Sequence, residues 1–539
     1  MKHRYNIGLY QFVFSLSQAL DLINPAMANH HKRVAYIALR LTEAVGMTGR
    51  SKEDVIVAAA LHDVGSLSAL HQHCEDCADL DLRYARFGYR LLQKFEPFRA
   101  PAHIVRFHNV PWSWGENREI ENHEVPAGAH LVHLANRVNR LLDNDLPIYR
   151  QTGRIAEELQ ALKGPELMPE YVDAFLKLAS SDAFWLDLES PDLLQRLFER
   201  APLSTVELDL DGLLDFAELL AQLIDFRSRF TATHSSGVAA TAATLGQLFG
   251  FPEVDCKRLQ VAGYLHDIGK LAIPTEMLNK EGKLTDEEWH LMRSHPYYTY
   301  RILSPITGLE DIASWCGSHH ERLSGEGYPF RTPHTDLPLE ARILAVADIF
   351  TALTENRPYR SGLAEAQVIE ILGELVGDHA LDGTVVGTLR RYYAEINNSR
   401  AAAQAHALQE YQSFMSGLGV LDLYGACVVH LTWKQRLRAY LDGATMPDRE
   451  QLMSHRNCEL GNWYYGEGLQ QYGHIAEMSE LETSHKELHD LIHTLIEHFD
   501  QGRKEYAEEC YRQIEPVSRR ILALLKAIEN RALATAVNT

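Results

Sequence analysis

The sequence predicts an all-α protein in which two copies of one helical module are followed by a separate helical bundle. Apolar residues recur at three- and four-residue spacing in stretches such as HHKRVAYIALRLTEAV, GVAATAATLGQLF and VIEILGELV, a pattern typical of helices with one buried face. Runs of alternating polarity are short and few. A chain of 539 residues has room for about three or four domains of ordinary size.

An internal repeat organises about the first four hundred residues. Two pairs of matching positions lie 204 residues apart (His30 with His234, His62 with His266), and three pairs lie 211 or 212 apart (Tyr84 with His295, Asn109 with His320, Asn136 with Asp348). Offsets that recur over independent matches indicate one helical module that occurs twice. The change from 204 to 211 predicts that one loop is shorter in the first copy.

We predict five segments along the chain. These are a first module at 1–150, a helical linker at 151–215, a second module at 216–395, a connector helix at 396–421 and a C-terminal bundle at 422–535. Gly, Pro, Asp and Asn interrupt the helical pattern near the ends of the first module and the linker.

Composition restricts the partners and the compartment. A net charge of −21 argues against a large nucleic-acid partner, because phosphate affinity comes mainly from Lys and Arg, but it allows a small anionic ligand. Seven scattered cysteines fit a reducing cytoplasm. No apolar run approaches the ~20 residues of a membrane span, and polar residues interrupt the amphipathic N-terminal stretch, which argues against a signal peptide. We therefore predict a cytoplasmic protein without a membrane partner.

The second module carries a complete set of candidate metal ligands. They are His234, His266, Asp267, His295, His319, His320 and Asp348. A set of imidazoles and carboxylates without a thiol suits two Fe or Mn ions better than one closed zinc site. Asp267 is the predicted bridge between the two ions. Histidines that merely fill a core are the alternative, which a set of this size disfavours.

Two neighbouring cations predict phosphate chemistry. Such a pair lowers the pKa of a shared water and holds a phosphoryl group for in-line attack. Lys270 follows His266 by four residues, so helical periodicity predicts that the two share a helix face. Its ammonium would stabilise the charge that develops on a phosphate oxygen. Asp267 and Lys270 are thus the predicted catalytic residues.

The second module resembles an HD-GYP domain. The matching motifs are THS, HDIGK, SHP, HHERLSGEGYP and ADIFTALTENRPYR. The resemblance implies an all-helical fold, a binuclear Fe or Mn centre and hydrolysis of cyclic di-GMP to pGpG and/or GMP. It also implies the substrate-binding residues, which are Lys270, Gly327, Tyr328, Pro329, Arg357 and Arg360. The two arginines can donate paired hydrogen bonds to guanine or phosphate.

Three positions depart from the family pattern. Phe230 stands where some members have a glutamate that holds a third metal, so we predict a two-metal site. Ser324 and Thr351 replace common aspartates without removing a ligand. Both changes make the hybrid cyclic GMP-AMP a credible alternative substrate.

The first module looks like a degenerate HD domain. It keeps His30, His62, Asp63 and His108, but has Tyr84, Asn109 and Asn136 at ligand positions, Ser66 in place of the lysine, and no GYP motif. These losses predict that the first module is a catalytically inactive regulatory or docking half. Whether it still binds one metal ion is left open. The loop HQHCEDC, with His71, His73, Cys74 and Cys77, is interpreted as a solvated loop rather than a zinc site, since it holds a single CxxC.

The last third has a second candidate metal site. His430, Cys458, His485 and His489 form a four-ligand zinc set in a helical background, and such closed sites are structural or sensory. Residues 422–530 resemble the chemoreceptor zinc-binding (CZB) domain, a four-helix bundle, through the motifs HxxW, CxLGxW and HxxxH. Trp433 and Trp463 are predicted to pack around the site. Oxidation of the Cys458 thiolate would weaken metal binding.

Together these patterns predict a cyclic dinucleotide phosphodiesterase that a zinc-binding sensor domain regulates through the connector. A non-catalytic cyclic di-GMP receptor or scaffold is one alternative, and an HD phosphohydrolase of mononucleotides is another. A homodimer or a signalling-protein partner is compatible with the sequence, which does not decide between them.

Overall fold

A computed structural model of the chain describes residues 4–8, 11, 13–14, 17, 29–67, 78–115, 119–120, 123–201, 205–225, 233–278, 280, 282–355, 362–416, 437–438, 440–441, 454–456 and 458–536. The described residues form an all-α structure with two short two-stranded ribbons. The predicted fold class is therefore confirmed. Among the described helices, none combines the length and the apolarity that a bilayer span requires.

In the first two-fifths of the chain the elements are β1 Arg4–Gly8, α1 His30–Ala44, α2 Gly49–Leu61, α3 Ala78–Leu92, α4 Arg99–Phe107, α5 Trp112–Gly115, β2 Glu119–Ile120, β3 His123–Glu124, α6 Ala127–Arg140, α7 Thr152–Leu162, α8 Pro169–Ala179, α9 Asp182–Glu189, α10 Leu193–Arg200 and β4 Thr205–Asp209. They continue with α11 Leu210–Asp225, α12 His234–Leu248, α13 Glu253–Leu265, α14 Thr275–Leu278, α15 Asp286–Met292, α16 His295–Leu303, α17 Glu310–Gly317, α18 Leu339–Thr354, α19 Glu365–Gly377, α20 Gly383–Arg391 and α21 Tyr393–Ser416. The last part holds α22 Glu459–Trp463, α23 Leu469–Tyr472, α24 Ala476–Asp500 and α25 Lys504–Ala536.

The chain divides into two compact units. The first contains 1–71, 76–352 and 369–407, and the second contains 72–75, 353–368 and 408–539. Most of both modules therefore lies in the first unit, whereas residues 353–368 of the second module and the C-terminal bundle lie in the second.

Element bounds in the first unit repeat the offsets of the sequence. Helices α1 and α12 both have 15 residues, and α2 and α13 both have 13. Helices α1 and α12 begin 204 positions apart, and so do α2 and α13. A short 3₁₀ turn follows α2 at Val64–Leu67 and α13 at Ile268–Ala272. In each module the His-Asp pair therefore lies directly after the second long helix, at equivalent positions of the two copies.

A β-ribbon joins distant parts of the first unit. Strand β1 pairs antiparallel with β4, so that Arg4 lies opposite Asp209 and Gly8 opposite Thr205. Helix α11 follows β4 directly and contacts the first module, where the rings of Phe216 and Phe95 lie 5.2 Å apart. It also packs against α13 of the second module, so one element supports both modules.

The predicted linker forms helices α7 to α10, as its helical pattern indicates. Phe175, Phe184 and Trp185 pack edge to face there, with ring centroids 5.2 to 6.1 Å apart. The Tyr36 hydroxyl of α1 donates a 2.5 Å hydrogen bond to Asp187 of α9. The linker helices are thereby packed onto the first module.

The second unit is built around α24 and α25. A short turn at Gly502, with φ +74°, joins these two long helices. Buried Leu481, Leu488, Leu495 and Ile521 belong to their shared core, and the guanidinium of Arg438 donates hydrogen bonds of 2.9 and 2.8 Å to both oxygens of Glu508. This core presents buried histidines of α24 to the segment around Cys458.

Candidate metal centre

The His-Asp pair of the second module lies where α13 gives way to a 3₁₀ turn. The Thr299 hydroxyl donates to the carbonyl oxygen of His266 and accepts from the Gly269 amide, at 2.9 Å in each case. A Cβ at Gly269 would lie 1.9 Å from the carbonyl oxygen of His295. Only glycine therefore allows the turn to approach α16 this closely, which brings Asp267 next to His295.

Asp267 contacts two groups of ligands at once. Its Oδ2 lies 3.3 Å from His266 Nε2 and 2.5 Å from Lys270 Nζ, and its Oδ1 lies 3.3 Å from His295 Nε2. The sequence prediction about Lys270 was wrong in its local structure. Because helix α13 ends at Leu265, the lysine lies in the 3₁₀ turn and pairs with Asp267 instead of sharing a helix face with His266.

The remaining ligand candidates complete the cluster. His234 Nε2, at the start of α12, lies 3.1 Å from Asp348 Oδ1, and that oxygen lies 3.9 Å from His266 Nε2. His295 Nε2 lies 3.3 Å from His319 Nε2, and the ring of His320 lies 4.1 Å from that of His319. Three overlapping triads have donor atoms within 4.8 Å of one another, namely His234-His266-Asp348, His266-Asp267-His319 and His295-His319-His320. All seven predicted ligands are thus in one place.

Backbone carbonyls orient three of these imidazoles. The Nδ1 atoms of His266, His295 and His319 lie 2.8, 2.7 and 2.6 Å from the carbonyl oxygens of Gly263, Met292 and Cys316. Each Nδ1 therefore carries the proton, and each Nε2 lone pair faces the cluster. The buried Nε2 of His266 makes no hydrogen bond to any described residue. Buried lone pairs that converge without protons between them fit a cation.

Burial and charge keep the cluster ready for a metal ion. Burial lowers the pKa of His295 to about 3 and that of His319 to about 4. Burial alone would raise the pKa of Asp267, but its contacts with His266 and with the Lys270 ammonium hold it well below its ordinary value. At neutral pH the imidazoles of His295 and His319 are therefore neutral and the Asp267 carboxylate is ionised, as metal ligands must be.

These pKa shifts predict that the metal-free protein loses stability in mild acid. His295 and His319 bind protons near pH 6.5 only when the chain is unfolded. Each therefore lowers the free energy of unfolding by up to about 1.4 kcal/mol per pH unit as the pH falls from 6.5 toward 4. Urea unfolding in EDTA at pH 7 and pH 5 measures the effect. His295→Gln should flatten the dependence, whereas the exposed His290→Gln should not; equal slopes for both would contradict the assignment.

The GYP loop has a fixed path beside the cluster. A Cβ at Gly327 would lie 2.4 Å from Glu321 Cα and from the Arg322 amide nitrogen. The buried carboxylate of Glu321 accepts hydrogen bonds from the amides of Phe330, Arg331 and Thr332 at 2.7, 3.0 and 3.2 Å. The loop, in which the Tyr328-Pro329 bond is cis, is therefore held from within.

Tyr328 links this loop to the cluster. Its ring lies 4.9 Å from the ring of His320, and the Arg293 guanidinium lies 4.6 Å above it. Cation–π contact of this kind holds both groups beside the ligands.

Sequence reasoning missed several supporting residues. Thr299, Glu321 and Arg293 hold the turn and the loop, and the carboxylate of Asp225 accepts a 3.0 Å hydrogen bond from Ser235, next to His234. Burial raises the pKa of Asp225. Thr299, Arg293 and Asp225 lie outside the quoted motifs, and Glu321 lies within HHERLSGEGYP but is not a ligand candidate. Their roles depend on partners that only the folded structure brings together.

The other positions named from the sequence are not part of the ligand cluster or are not described by the structure. Ser324 is exposed, and Thr351 is buried in α18 against Gly237. The structure does not describe Arg357, Arg360, Phe230, or the loop with His71, His73, Cys74 and Cys77, so predictions for them lie outside the described residues.

The second unit brings three of its four predicted zinc ligands together. Cys458, His485 and His489 are buried, with donor atoms within 4.8 Å of one another, and Cys458 Sγ lies 3.2 Å from His485 Nε2. The Gly461 amide donates to Sγ at 3.3 Å, and a Cβ at Gly461 would lie 2.0 Å from the His455 carbonyl oxygen. Trp463 packs against the core of this unit. His430 and Trp433 lie outside the described residues.

A helical module that gathers buried histidines around a His-Asp pair defines a metal-dependent hydrolase of the HD type. Matching family models are the HD domain at residues 27–141, a second HD-domain model at 218–385 and the chemoreceptor zinc-binding domain at 430–496. The chain is 32% identical over 424 residues to 3′3′-cGAMP-specific phosphodiesterase 3 of Vibrio cholerae, covering 68% of this chain and 90% of that one. The chain belongs to the HD-GYP family of cyclic dinucleotide phosphodiesterases.

Two further comparisons concern part of the second module and the overall fold. Over 149 residues the chain is 39% identical to the cyclic di-GMP phosphodiesterase PA4108 of Pseudomonas aeruginosa, a match that covers 28% of this chain and 36% of that one. The fold is similar to the crystal structure of a cyclic GMP-AMP-specific phosphodiesterase of V. cholerae, with a TM-score of 0.52 and 21% identity over 74% of this chain and 98% of that one. These matches confirm the predicted tandem HD domains, and the family models confirm the zinc-binding domain that follows them.

Proposed function

We propose that the second module hydrolyses cyclic di-GMP to pGpG and/or GMP with two Fe or Mn ions. The proposed ligands are His234, His266, Asp267, His295, His319, His320 and Asp348. The observation that carries this proposal is the position of Asp267, whose two oxygens contact the His266 side and the His295 side of the cluster separately. A carboxylate between two ligand groups is the arrangement that a binuclear centre requires.

When bound, the ions supply Lewis acidity that activates water and polarises the phosphodiester. Lys270 supplies the fixed positive charge. Its side chain is 20% exposed, compared with 5% for Asp267, so the ammonium lies between the buried carboxylate and the open side of the site. From there it stabilises negative charge on the phosphoryl oxygens as the P–O bond breaks.

The GYP loop positions the substrate in this proposal. Gly327 and Pro329 set the path of the loop, and Tyr328 presents its ring beside His320. Arg357 and Arg360 are proposed, from their motif alone, to contact the nucleotide.

Gly327→Ala should lower kcat/KM on the order of 10²-fold, because the Cβ displaces Tyr328 from the substrate and displacements of about 1 Å have effects of this size. Steady-state hydrolysis measures it. Gly387→Ala is the matched control, since a Cβ there meets nothing within 4 Å. Equal activity of the two variants would contradict the proposed role of the loop.

The hybrid cyclic GMP-AMP is a second candidate substrate. Two relatives named as 3′3′-cGAMP-specific phosphodiesterases match 72% and 68% of this chain, whereas a cyclic di-GMP phosphodiesterase matches 28%. Hydrolysis of both dinucleotides at equal concentration, with product chromatography, distinguishes the candidates. Binding without any product would favour the receptor alternative, and turnover of mononucleotides alone would favour a general phosphohydrolase.

We also propose that zinc, held by Cys458, His485, His489 and His430, regulates the phosphodiesterase through the connector. Zinc can change the activity only if its affinity differs between a more active and a less active state of the enzyme. A cytoplasmic location and a homodimer or signalling partner are further proposals from the sequence.

Cys458→Ala should reduce the zinc content from about one ion per chain to near zero, because a closed site with three remaining ligands binds weakly. Metal analysis of the purified chain measures this loss. Cys510→Ala, at another buried cysteine of the same unit, should keep its zinc. If zinc-loaded and Cys458→Ala proteins hydrolyse substrate at equal rates, the regulatory proposal fails although the zinc site stands.

A further inference from the structure

The first module retains a compact group of metal-ligating side chains. His30 Nε2 lies 3.2 Å from His62 Nε2 and 3.2 Å from Asp63 Oδ2, and His62 Nε2 lies 3.1 Å from the same oxygen. The two imidazoles are 5% and 1% exposed. Two buried imidazole nitrogens and one carboxylate oxygen therefore converge on one point.

The imidazoles are oriented as in the second module. His62 Nδ1 lies 2.8 Å from the Ala59 carbonyl oxygen, and His108 Nδ1 lies 2.7 Å from that of Val105. Both Nδ1 atoms therefore carry protons, so the lone pair of His62 Nε2 faces Asp63. His108 Nε2 is buried and makes no hydrogen bond to a described residue.

Asn139 allows the same orientation for His30. Its amide nitrogen lies 2.7 Å from His30 Nδ1, and its buried Oδ1 makes no hydrogen bond to the described residues. A half-turn of this amide lets Oδ1 accept the Nδ1 proton of His30, which satisfies both groups. The Nε2 lone pairs of His30 and His62 then face each other and an ionised carboxylate, which is unfavourable without a cation among them.

Charge balance supports a cation at this point. In the second module Lys270 pairs with Asp267. In the first module Ser66 stands in place of that lysine, and its hydroxyl donates a 2.7 Å hydrogen bond to the backbone oxygen of Asp63. Among the described residues, no lysine or arginine lies within ion-pair distance of the Asp63 carboxylate. The Asp63 side chain is 18% exposed, and its ion-pair contacts among the described residues are with His30 and His62. A divalent ion among these three groups would balance the carboxylate charge without a lysine.

Asn136 is the candidate for a fourth ligand. Asn136 is 4% exposed, and its buried Oδ1 makes no hydrogen bond to any described residue. It occupies the position that matches Asp348, whose Oδ1 contacts the first histidine of the second module. A second ion has too few ligands, because Tyr84 and Asn109 replace two of the imidazoles that would hold it.

We propose that the first module binds one divalent transition-metal ion through His30, His62 and Asp63, with the Asn136 side-chain oxygen as a fourth ligand. A set of two imidazoles and one carboxylate suits Fe(II), Mn(II) or Zn(II). The ion joins the start of α1, the end of α2 and α6, so it stabilises the module whether or not the second module is catalytic. The proposal is thus independent of the proposed function.

The test uses the full chain with its other sites removed. In a protein carrying His266→Ala, Asp348→Ala and Cys458→Ser, titration with Co(II) should show about one bound ion per chain by absorption spectroscopy and metal analysis. Adding Asp63→Ala should remove that ion, whereas His133→Ala, at a histidine of the same module outside the group, should not. No bound ion, or one that survives Asp63→Ala, would overturn the proposal.

A gain in affinity tests the proposal without loss of folding. Asn136→Asp restores the carboxylate that the second module has at this position, and an added charged ligand should tighten Co(II) binding about tenfold or more. Unchanged or weaker binding would contradict the assignment of Asn136 as a ligand.

Discussion

His266→Ala is expected to abolish hydrolysis of the cyclic dinucleotide, with a loss of more than about 10³-fold in kcat, because metal ions contribute several kcal/mol to the stabilisation of such transition states. The Nε2 of this residue lies 3.3 Å from Asp267 and 3.9 Å from Asp348. It is shared by two of the donor triads, so its removal affects both ion positions. Initial rates on anaerobically metal-loaded protein measure the loss.

The internal repeat provides the matched comparison. His62 occupies the same place in the first module, with the same bond from Nδ1 to a backbone carbonyl. His62→Ala should keep most of the turnover, within about threefold, because long-range effects between separate modules are usually small. If His62→Ala abolished hydrolysis and His266→Ala did not, the assignment of the catalytic module would be reversed.

Lys270→Met is expected to lower kcat about 10²–10³-fold, the usual effect of removing one preorganised charge from a transition state. Metal content should be retained, since Lys270 contacts Asp267 and is not a ligand. The substitution keeps an unbranched side chain of nearly the same length while removing its charge. Single-turnover rates together with metal analysis separate this effect from loss of the ions.

Lys257→Met is the control for a charge change nearby. Lys257 lies on α13 and pairs at the surface with Asp211 at 2.7 Å, so its loss should leave kcat nearly unchanged. A Lys270→Met protein with full activity, or one that fails only because it has lost its metals, would show that the ammonium has no catalytic role.

The sequence predicted the candidate ligands that the structure brings together, but not the residues that support them. Ligand chemistry limits the residue types to His and Asp, and the repeat offset marked which of them belong together, so the seven candidates were predictable. Glu321 and Thr299 were not, because their roles depend on loops that meet only after folding. The prediction for Lys270 was wrong because residues four apart share a face only within one helix. Helix α13 ends at Leu265, before the His-Asp pair.

A similar limit applies to the fold. Helices α12 and α13 were predictable because local apolar spacing determines them, and the copies α1 and α2 follow by repetition. The β1–β4 ribbon was not predicted, because its partners are about 200 residues apart in the chain and each strand is too short to carry a pattern. The residual ligand set of the first module was visible in the sequence, but the orientation of its imidazoles required the structure.

Product analysis on anaerobically prepared, metal-quantified protein tests the central claim most directly. With about two Fe or Mn ions in the second module, the protein should convert cyclic di-GMP or cyclic GMP-AMP to linear products, and Asp267→Asn should abolish both the second ion and the conversion. A protein that holds the ions and binds the dinucleotide but releases it intact would contradict the enzymatic account.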